Sequence, residues 1–347
     1  MNFVFISPNF PDNYYLFCRG LKNNGVNVLG IGDTPYNALS DNVKANLTEY
    51  YYVHSLENYD EKLRAVAFFT FKYGKIDFIE SNNEYWLASD AQLRTDFNVT
   101  TGPKADEIRY FRSKTAMKED YAKANVKTAR YHIPSTIDKA KEFIKEVGYP
   151  VIVKPDDGVG AIKTYKITND QELITFFQSF NPKQPYIMEE FVEGDLISFD
   201  GICDSHGNVV IPTHHVFPNQ IMDVVNNLTD VFYYTNKEIP QDLYEAGQRV
   251  LLAFKAKSRF YHLEFFRLTK DKIGLGKKGD LIGLEVNMRV PGGYTPDMID
   301  YAYQMDIYQA WADVICYDHN NQYIPLKKKY CAFYGRRRFN KYKHKDK

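Results

Sequence analysis

The chain has 347 residues, of which 44% are hydrophobic and 25% charged, and its 44 basic side chains balance 44 acidic ones. That length is ample for a large core and for two or three domains. A formal charge of zero provides no global field toward nucleic acid or an anionic membrane. The 28 tyrosines and 24 phenylalanines are spread along the chain as core residues are, with no base-stacking cluster. No apolar run approaches the roughly 20 residues of a membrane helix. Cys18, Cys203, Cys316 and Cys331 show no CxxC spacing, so reduced thiols and a cytoplasmic location are expected.

The N-terminal run Met1–Ile6 is short and lacks a basic flank, which reads as a first strand and not a signal peptide. Strand-like Phe3–Ile6, Val26–Ile31, Tyr50–Val53 and Ile76–Ile79 alternate with helical stretches at Tyr14–Asn23 and Glu57–Tyr73. This βαβαβ order predicts a parallel sheet covered on both faces. Ligand-contacting loops are expected at the strand ends, at Ser7-Pro8-Asn9 and Glu80-Ser81-Asn82-Asn83-Glu84. A GxGxxG after the first strand is missing, so a dinucleotide site is not indicated. A polar cap for the next helix is an equally good reading of Glu80–Glu84.

A break falls at Gly102-Pro103, followed by a basic helical stretch over 104–125 with Arg109, Arg112, Lys114 and Lys118. Residues 128–180 read as β, α, β, loop, β, α. Within them Tyr149–Pro155 is a buried-strand pattern with Lys154 near its end, and Gly158 and Gly160 follow. Glycines let backbone N–H groups approach an anion, and a lysine at a strand end can reach a phosphate; a glycine hairpin with a surface lysine is the plainer alternative. Tyr186–Glu190 is a strand that breaks at Gly194. Helices are expected at 241–256 and 306–316.

The strand-like runs His262-Leu263-Glu264 and Gly283-Leu284-Glu285-Val286-Asn287-Met288-Arg289 carry the clearest chemistry. Period-two alternation sends Glu285, Asn287 and Arg289 to one face, and Glu264 on a neighbouring strand can join them. Two carboxylates and an amide oxygen suit Mg²⁺; the arginine suits a phosphate or oxyanion. His214 and His215 would face opposite ways and not share a metal. Pro291-Gly292-Gly293-Tyr294 is either part of an acceptor pocket or a simple strand-to-helix turn. From Lys327 onward ten Lys or Arg stand against one Asp, a run that is usually solvated. Tyr330–Tyr334 is strand-like with nothing after it to pack on, as an interrupted element of a longer chain would be.

In order and spacing these motifs resemble the ATP-grasp superfamily, in its carbamoyl-phosphate-synthetase-like form, over about residues 104–317. The first 103 residues resemble the α/β domain that commonly precedes it. The resemblance implies a mixed α/β and α+β fold: an N-terminal parallel-sheet, Rossmann-like domain (1–103), a first ATP-grasp subdomain (104–185), a C-terminal subdomain with the Mg²⁺ site (186–325) and a basic tail (326–347). It implies ATP with Mg²⁺ or Mn²⁺ as cofactors. Lys114 and Lys154 would reach the phosphates, Gly158 and Gly160 would sit in the closing loop, and Glu189, Glu190 and Val192 would line the adenine edge. Asp195 would take the ribose, Glu264, Glu285 and Asn287 the metal, and Arg289 the γ-phosphate and acyl intermediate. The implied reaction joins a small-molecule carboxylate to an amine, or less readily a thiol, through an acyl phosphate. No protein nucleophile, nucleic acid or membrane takes part, and homodimers are common for such a fold.

The chain departs from the family pattern at three places. Leu196 stands where a ribose-binding glutamate is usual, Ala161, Ile162 and Lys163 follow the loop glycines, and Met288 replaces a proline. These departures motivate an alternative, a nucleotide-binding regulator without turnover. The Glu264, Glu285, Asn287 and Arg289 set argues for turnover.

Overall fold

The computed structural model describes residues 1–157, 164–218 and 229–337. Strands β1 (Asn2–Ile6), β2 (Asn27–Gly32), β3 (Glu49–Tyr52) and β4 (Phe78–Glu80) form a parallel sheet in the order β3-β2-β1-β4. Helices α1 (Tyr15–Asn23), α2 (Asp41–Ala45), α3 (Tyr59–Tyr73) and α4 (Leu87–Asp96) accompany it. Side-chain alternation explains the unbroken apolar β1. Phe3 and Phe5 pack with Phe17 of α1 on one face, whereas Val4 and Ile6 pack with Val66 and Phe69 of α3 on the other. The Asn58 side chain caps α3 by accepting from the Asp60 and Glu61 amides, and the helix stops at Gly74. The expected parallel sheet is therefore present.

A four-stranded antiparallel sheet follows, built from β5 (Tyr131–His132), β6 (Val151–Pro155), β7 (Tyr165–Ile167) and β8 (Tyr186–Glu190) in the order β5-β8-β6-β7. Helices α5 (Lys114–Lys123), α6 (Ile137–Val147) and α7 (Asp170–Gln178) are its chain neighbours, and α6 and α7 share one apolar cluster with this sheet. The third sheet is six-stranded and antiparallel. Its strands are β9 (Gly194–Cys203), β10 (Val209–Phe217), β11 (Val231–Asn236), β12 (Arg259–Leu268), β13 (Leu281–Asn287) and β14 (Cys331–Gly335), in the order β13-β12-β9-β10-β11-β14. Helices α8 (Gln241–Ala253), α9 (Thr295–Tyr303) and α10 (Ile307–Tyr317) lie in this last part of the chain, and short 3-10 turns occur at Tyr36–Ala38, Glu84–Trp86 and Ile108–Phe111.

Several contacts cross the boundaries expected from the sequence. Strand β8 pairs with β6, so the four-stranded sheet runs past residue 185. Helix α5 packs under the six-stranded sheet through Met117 and Tyr121, which cluster with Phe265, Val286 and Met288. A side chain at Gly283 would place its Cβ 2.4 Å from the Tyr121 ring. Glycine there lets the ring slide under β13, where the Tyr121 hydroxyl donates to the Glu285 carbonyl at 3.2 Å. At the other end, α10 covers the first sheet: the Trp311 ring meets Phe3 and Phe17 with centroids 5.6 and 5.1 Å apart. The strand expected to lack a partner, Tyr330–Tyr334, is β14, and it pairs with β11 from Cys331 to Gly335. The region after residue 325 is thus a basic tail only in part.

Candidate functional site

Between the four- and six-stranded sheets lies a cavity of about 310 Å³, within the range of small-molecule sites. Its β6 and β8 side carries Ile152, Lys154, Glu189 and Glu190, and the following segment adds Phe191 and Val192. The opposite side carries Leu196, His262, Glu264, Phe266, Glu285 and Asn287 from the larger sheet. Lys114, Arg289 and Gly292 also reach it.

The strand register explains the acidic wall. Glu264 of β12 lies opposite Glu285 of β13, and His262 lies opposite Asn287. Residues directly opposite in an antiparallel pair share a face with their Cβ atoms about 5 Å apart. A register break follows Glu264, where Phe265 pairs with Gly283. The two carboxylates and the amide therefore converge as the alternation predicted. Their pairings are loose: the Lys114 ammonium stands 3.3 Å from Glu285, and His262 Nε2 stands 3.4 Å from Glu264. Arg289 Nη2 approaches Asn287 Oδ1 at 3.4 Å, while its Nε donates to Glu84 of the first sheet's β4–α4 segment at 2.9 Å. Burial pushes the Glu84 carboxyl up, and Arg289 only partly opposes this.

The β6 and β8 side is tightly compensated. Glu189 lies between two ammonium groups, Lys118 at 2.6 Å and Lys154 at 2.7 Å. Burial alone would raise its pKa, but the two lysines hold it down at about 2. They respond differently. Burial dominates at Lys118 and lowers its pKa; at Lys154 the Glu189, Glu285 and Glu264 carboxylates outweigh burial and raise it. Glu190 turns its carboxylate to Arg130 at 2.7 Å and Lys272 at 3.2 Å. Val192 is buried and lines the cavity, so this segment presents mainly backbone and apolar surface to a ligand.

Asp195 stands apart from the other expected site residues. It is exposed and absent from the cavity wall, whereas Leu196, its neighbour on the other face of β9, is buried and lines the cavity. Gly158 and Gly160 lie outside the described residues. The Pro291–Tyr294 turn leads into α9, with the Thr295 hydroxyl donating to the Gly292 carbonyl at 2.8 Å.

Sequence reasoning assigned no role to Lys118, His262 or Asp200. Lys118 was readable, because it stands four residues after Lys114 on one helix face. The Asp200 contact with His262 depends on the register of β9 against β12, which joins residues 62 apart and leaves no local signal. The two histidines behave differently, as their alternation required. His214 Nδ1 meets the Ser198 carbonyl at 2.9 Å and His215 Nδ1 meets Asp200 at 2.6 Å. Among the described residues one group has metal-ligand spacing, Asp204, His206 and Asp318. It lies outside the cavity, and its oxygens already accept the Ser205, His206 and Asn208 amides.

The two facing sheets thus enclose a cavity with Lys154, Glu189 and Glu190 on one side and Glu264, Glu285 and Asn287 on the other. The family model for the phosphoribosylglycinamide synthetase ATP-grasp (A) domain matches residues 112–223. The L-arginine-specific L-amino acid ligase of Bacillus subtilis is 22% identical over 258 residues, which cover 72% of this chain and 60% of that protein. The chain therefore spans less than two thirds of that relative. The crystal structure of phosphoribosylglycinamide synthetase from Anaerococcus prevotii superposes with a TM-score of 0.68 at 16% identity, covering 95% of this chain and 79% of the other. A biotin carboxylase–βγ-ATP complex from Campylobacter jejuni gives a TM-score of 0.66 at 17% identity, covering 90% and 70%. These likenesses show an ATP-grasp fold, and residues 112–223 match the ATP-grasp domain model. Among its described residues no helix is long and apolar enough to cross a membrane.

Proposed function

We propose that the protein is an ATP-dependent ligase that activates a carboxylate as an acyl phosphate for attack by an amine. The observation that carries this reading is the pairing of Glu264 with Glu285 across β12 and β13, with Arg289 beside them and Lys154 on the opposite wall. Two carboxylates and the Asn287 amide oxygen are hard donors converging on one strand face, a set that fits Mg²⁺ or Mn²⁺. When bound there, the ion would neutralise phosphate charge and align the β- and γ-phosphates.

The remaining work falls to side chains of the cavity wall. The apolar walls at Ile152, Val192, Leu196 and Phe266 accept a flat base. Lys154 and Lys114 bind phosphate oxygens. Arg289 turns from Glu84 toward the transferring phosphoryl group as an oxygen of the substrate carboxylate attacks the γ-phosphorus and ADP departs. An amine then attacks the acyl carbon, phosphate leaves with the C–O electron pair, and the amine proton passes to solvent or phosphate. Catalysis is positioning and charge neutralisation without a covalent enzyme intermediate.

The amino acid ligase relative makes pairs of amino acids the first substrates to try. The test is an ADP-release screen over pairs of amino acids and small carboxylic acids. ADP released only when both acid and amine are present supports the ligase. Tight ATP binding without turnover across the panel favours the regulator.

A further inference from the structure

Beneath the acidic wall a chain of polar side chains crosses the six-stranded sheet. Thr235 of β11 meets His215 Nε2 at 2.9 Å, and His215 Nδ1 meets Asp200 at 2.6 Å. Asp200 then accepts from the Ser198 hydroxyl and meets His262 Nδ1, and His262 Nε2 faces Glu264 at 3.4 Å. Asp200, His215 and Thr235 are wholly buried, whereas His262 lines the cavity.

Strand pairing does not explain this chain. Arg259–Leu268 of β12 is already in register with Gly194–Cys203 of β9 over ten residues. A buried carboxylate and two imidazoles add a desolvation cost to that ladder, and apolar side chains would avoid it. What the polar chain accomplishes is directional. Asp200 occupies one ring nitrogen of His262 and so fixes the ring plane, which aims the other nitrogen at Glu264. Carboxylates that bind metals are commonly oriented by such outer hydrogen bonds.

We infer that His262, anchored by Asp200, is a positioning residue that sets the Glu264 carboxylate for the divalent cation. The inference rests on the metal reading of Glu264 given above. Its role is geometric: without it the Glu264 side chain is free to rotate away from Glu285.

The test is Mn²⁺ binding to the full chain, followed by electron paramagnetic resonance in the presence of a non-hydrolysable ATP analogue. His262→Asn keeps an amide where Nδ1 faces Asp200 but removes the group facing Glu264. His262→Gln restores an amide near the Nε2 position. His262→Asn should weaken Mn²⁺ binding about 10- to 100-fold, with analogue affinity in EDTA and Tm near wild type, and His262→Gln should recover part of the loss. Wild-type Mn²⁺ affinity in His262→Asn overturns the inference. So does a parallel fall in Mn²⁺ affinity, metal-free analogue affinity and Tm, which would mark a purely structural role. Glu264→Gln separates the two levels. If it leaves Mn²⁺ affinity unchanged, the metal assignment fails and the inference with it. If it weakens Mn²⁺ binding while His262→Asn does not, the inference alone fails.

Discussion

The two ends of the cavity hold similar numbers of charges but treat them differently. At the β8 end, Glu189 sits within 2.6 and 2.7 Å of two lysines, and Glu190 is clamped by Arg130 and Lys272. At the β12–β13 end the nearest cations stand 3.3 and 3.4 Å from Glu285 and Glu264. The first arrangement is closely paired within the wall, although Lys154 also feels Glu285 and Glu264 across the cavity. The second holds Glu264 and Glu285 by longer contacts, which on the proposed reading leaves them open to a metal. On the proposed reading the charges at the β8 end, Lys154 apart, serve architecture and those at the β12–β13 end serve chemistry, and the substitutions below test that division.

The largest effect is expected from Glu285→Gln. It removes a loosely held carboxylate, so Tm should stay within a few degrees while substrate-dependent ADP release falls by about 10³-fold. ADP release at the wild-type rate would place the metal elsewhere. Arg289→Lys comes next. A lysine keeps the charge but loses the planar fork, so kcat should fall about 10²-fold with ATP affinity little changed. A loss confined to ATP affinity would move Arg289 from the γ-phosphate to the ground-state complex.

Most of the β12–β13 end of the cavity was legible because one strand carries it. Period-two alternation in 284–290 fixes the faces of Glu285, Asn287 and Arg289 without knowledge of the neighbours. The first sheet was legible for a related reason: with both faces covered, its central strands are unbroken apolar runs. What was hidden depends on register and partner choice. Asp200 reaches His262 only because β9 and β12 align in one register, and β14 finds β11 across about a hundred residues of chain. Helix α5 reads as the start of the first lobe in sequence order, yet Gly283 opens room for Tyr121 beneath the other lobe. Apolar pattern shows that a helix buries a face, not which sheet receives it.

At the β8 end the comparison predicts a loss of stability. Glu189→Leu leaves Lys118 and Lys154 side by side in a buried site without their shared carboxylate, so unfolding in urea should register a loss of about 3–5 kcal/mol. Glu264→Gln, at the other end, keeps the side chain's shape and a polar group facing His262, so it should cost less, about 1 kcal/mol. Equal losses from the two variants would erase the distinction between the ends.

The smallest effect concerns the ribose. Asp195 and Leu196 are adjacent on β9 and therefore face opposite ways. The aspartate is exposed, and the leucine, 4% exposed, forms part of the cavity wall. A carboxylate on the outer face cannot reach a sugar held inside without a one-residue shift of β9, and β9 is pinned by register on both sides, to β10 and to β12. Asp195→Ala should therefore leave the dissociation constant of an ATP analogue within about twofold, well under the factor of ten that 1.4 kcal/mol represents, as measured by titration calorimetry. A tenfold weakening would show that β9 moves when nucleotide binds, and that the β8 end is less fixed than its ion pairs imply.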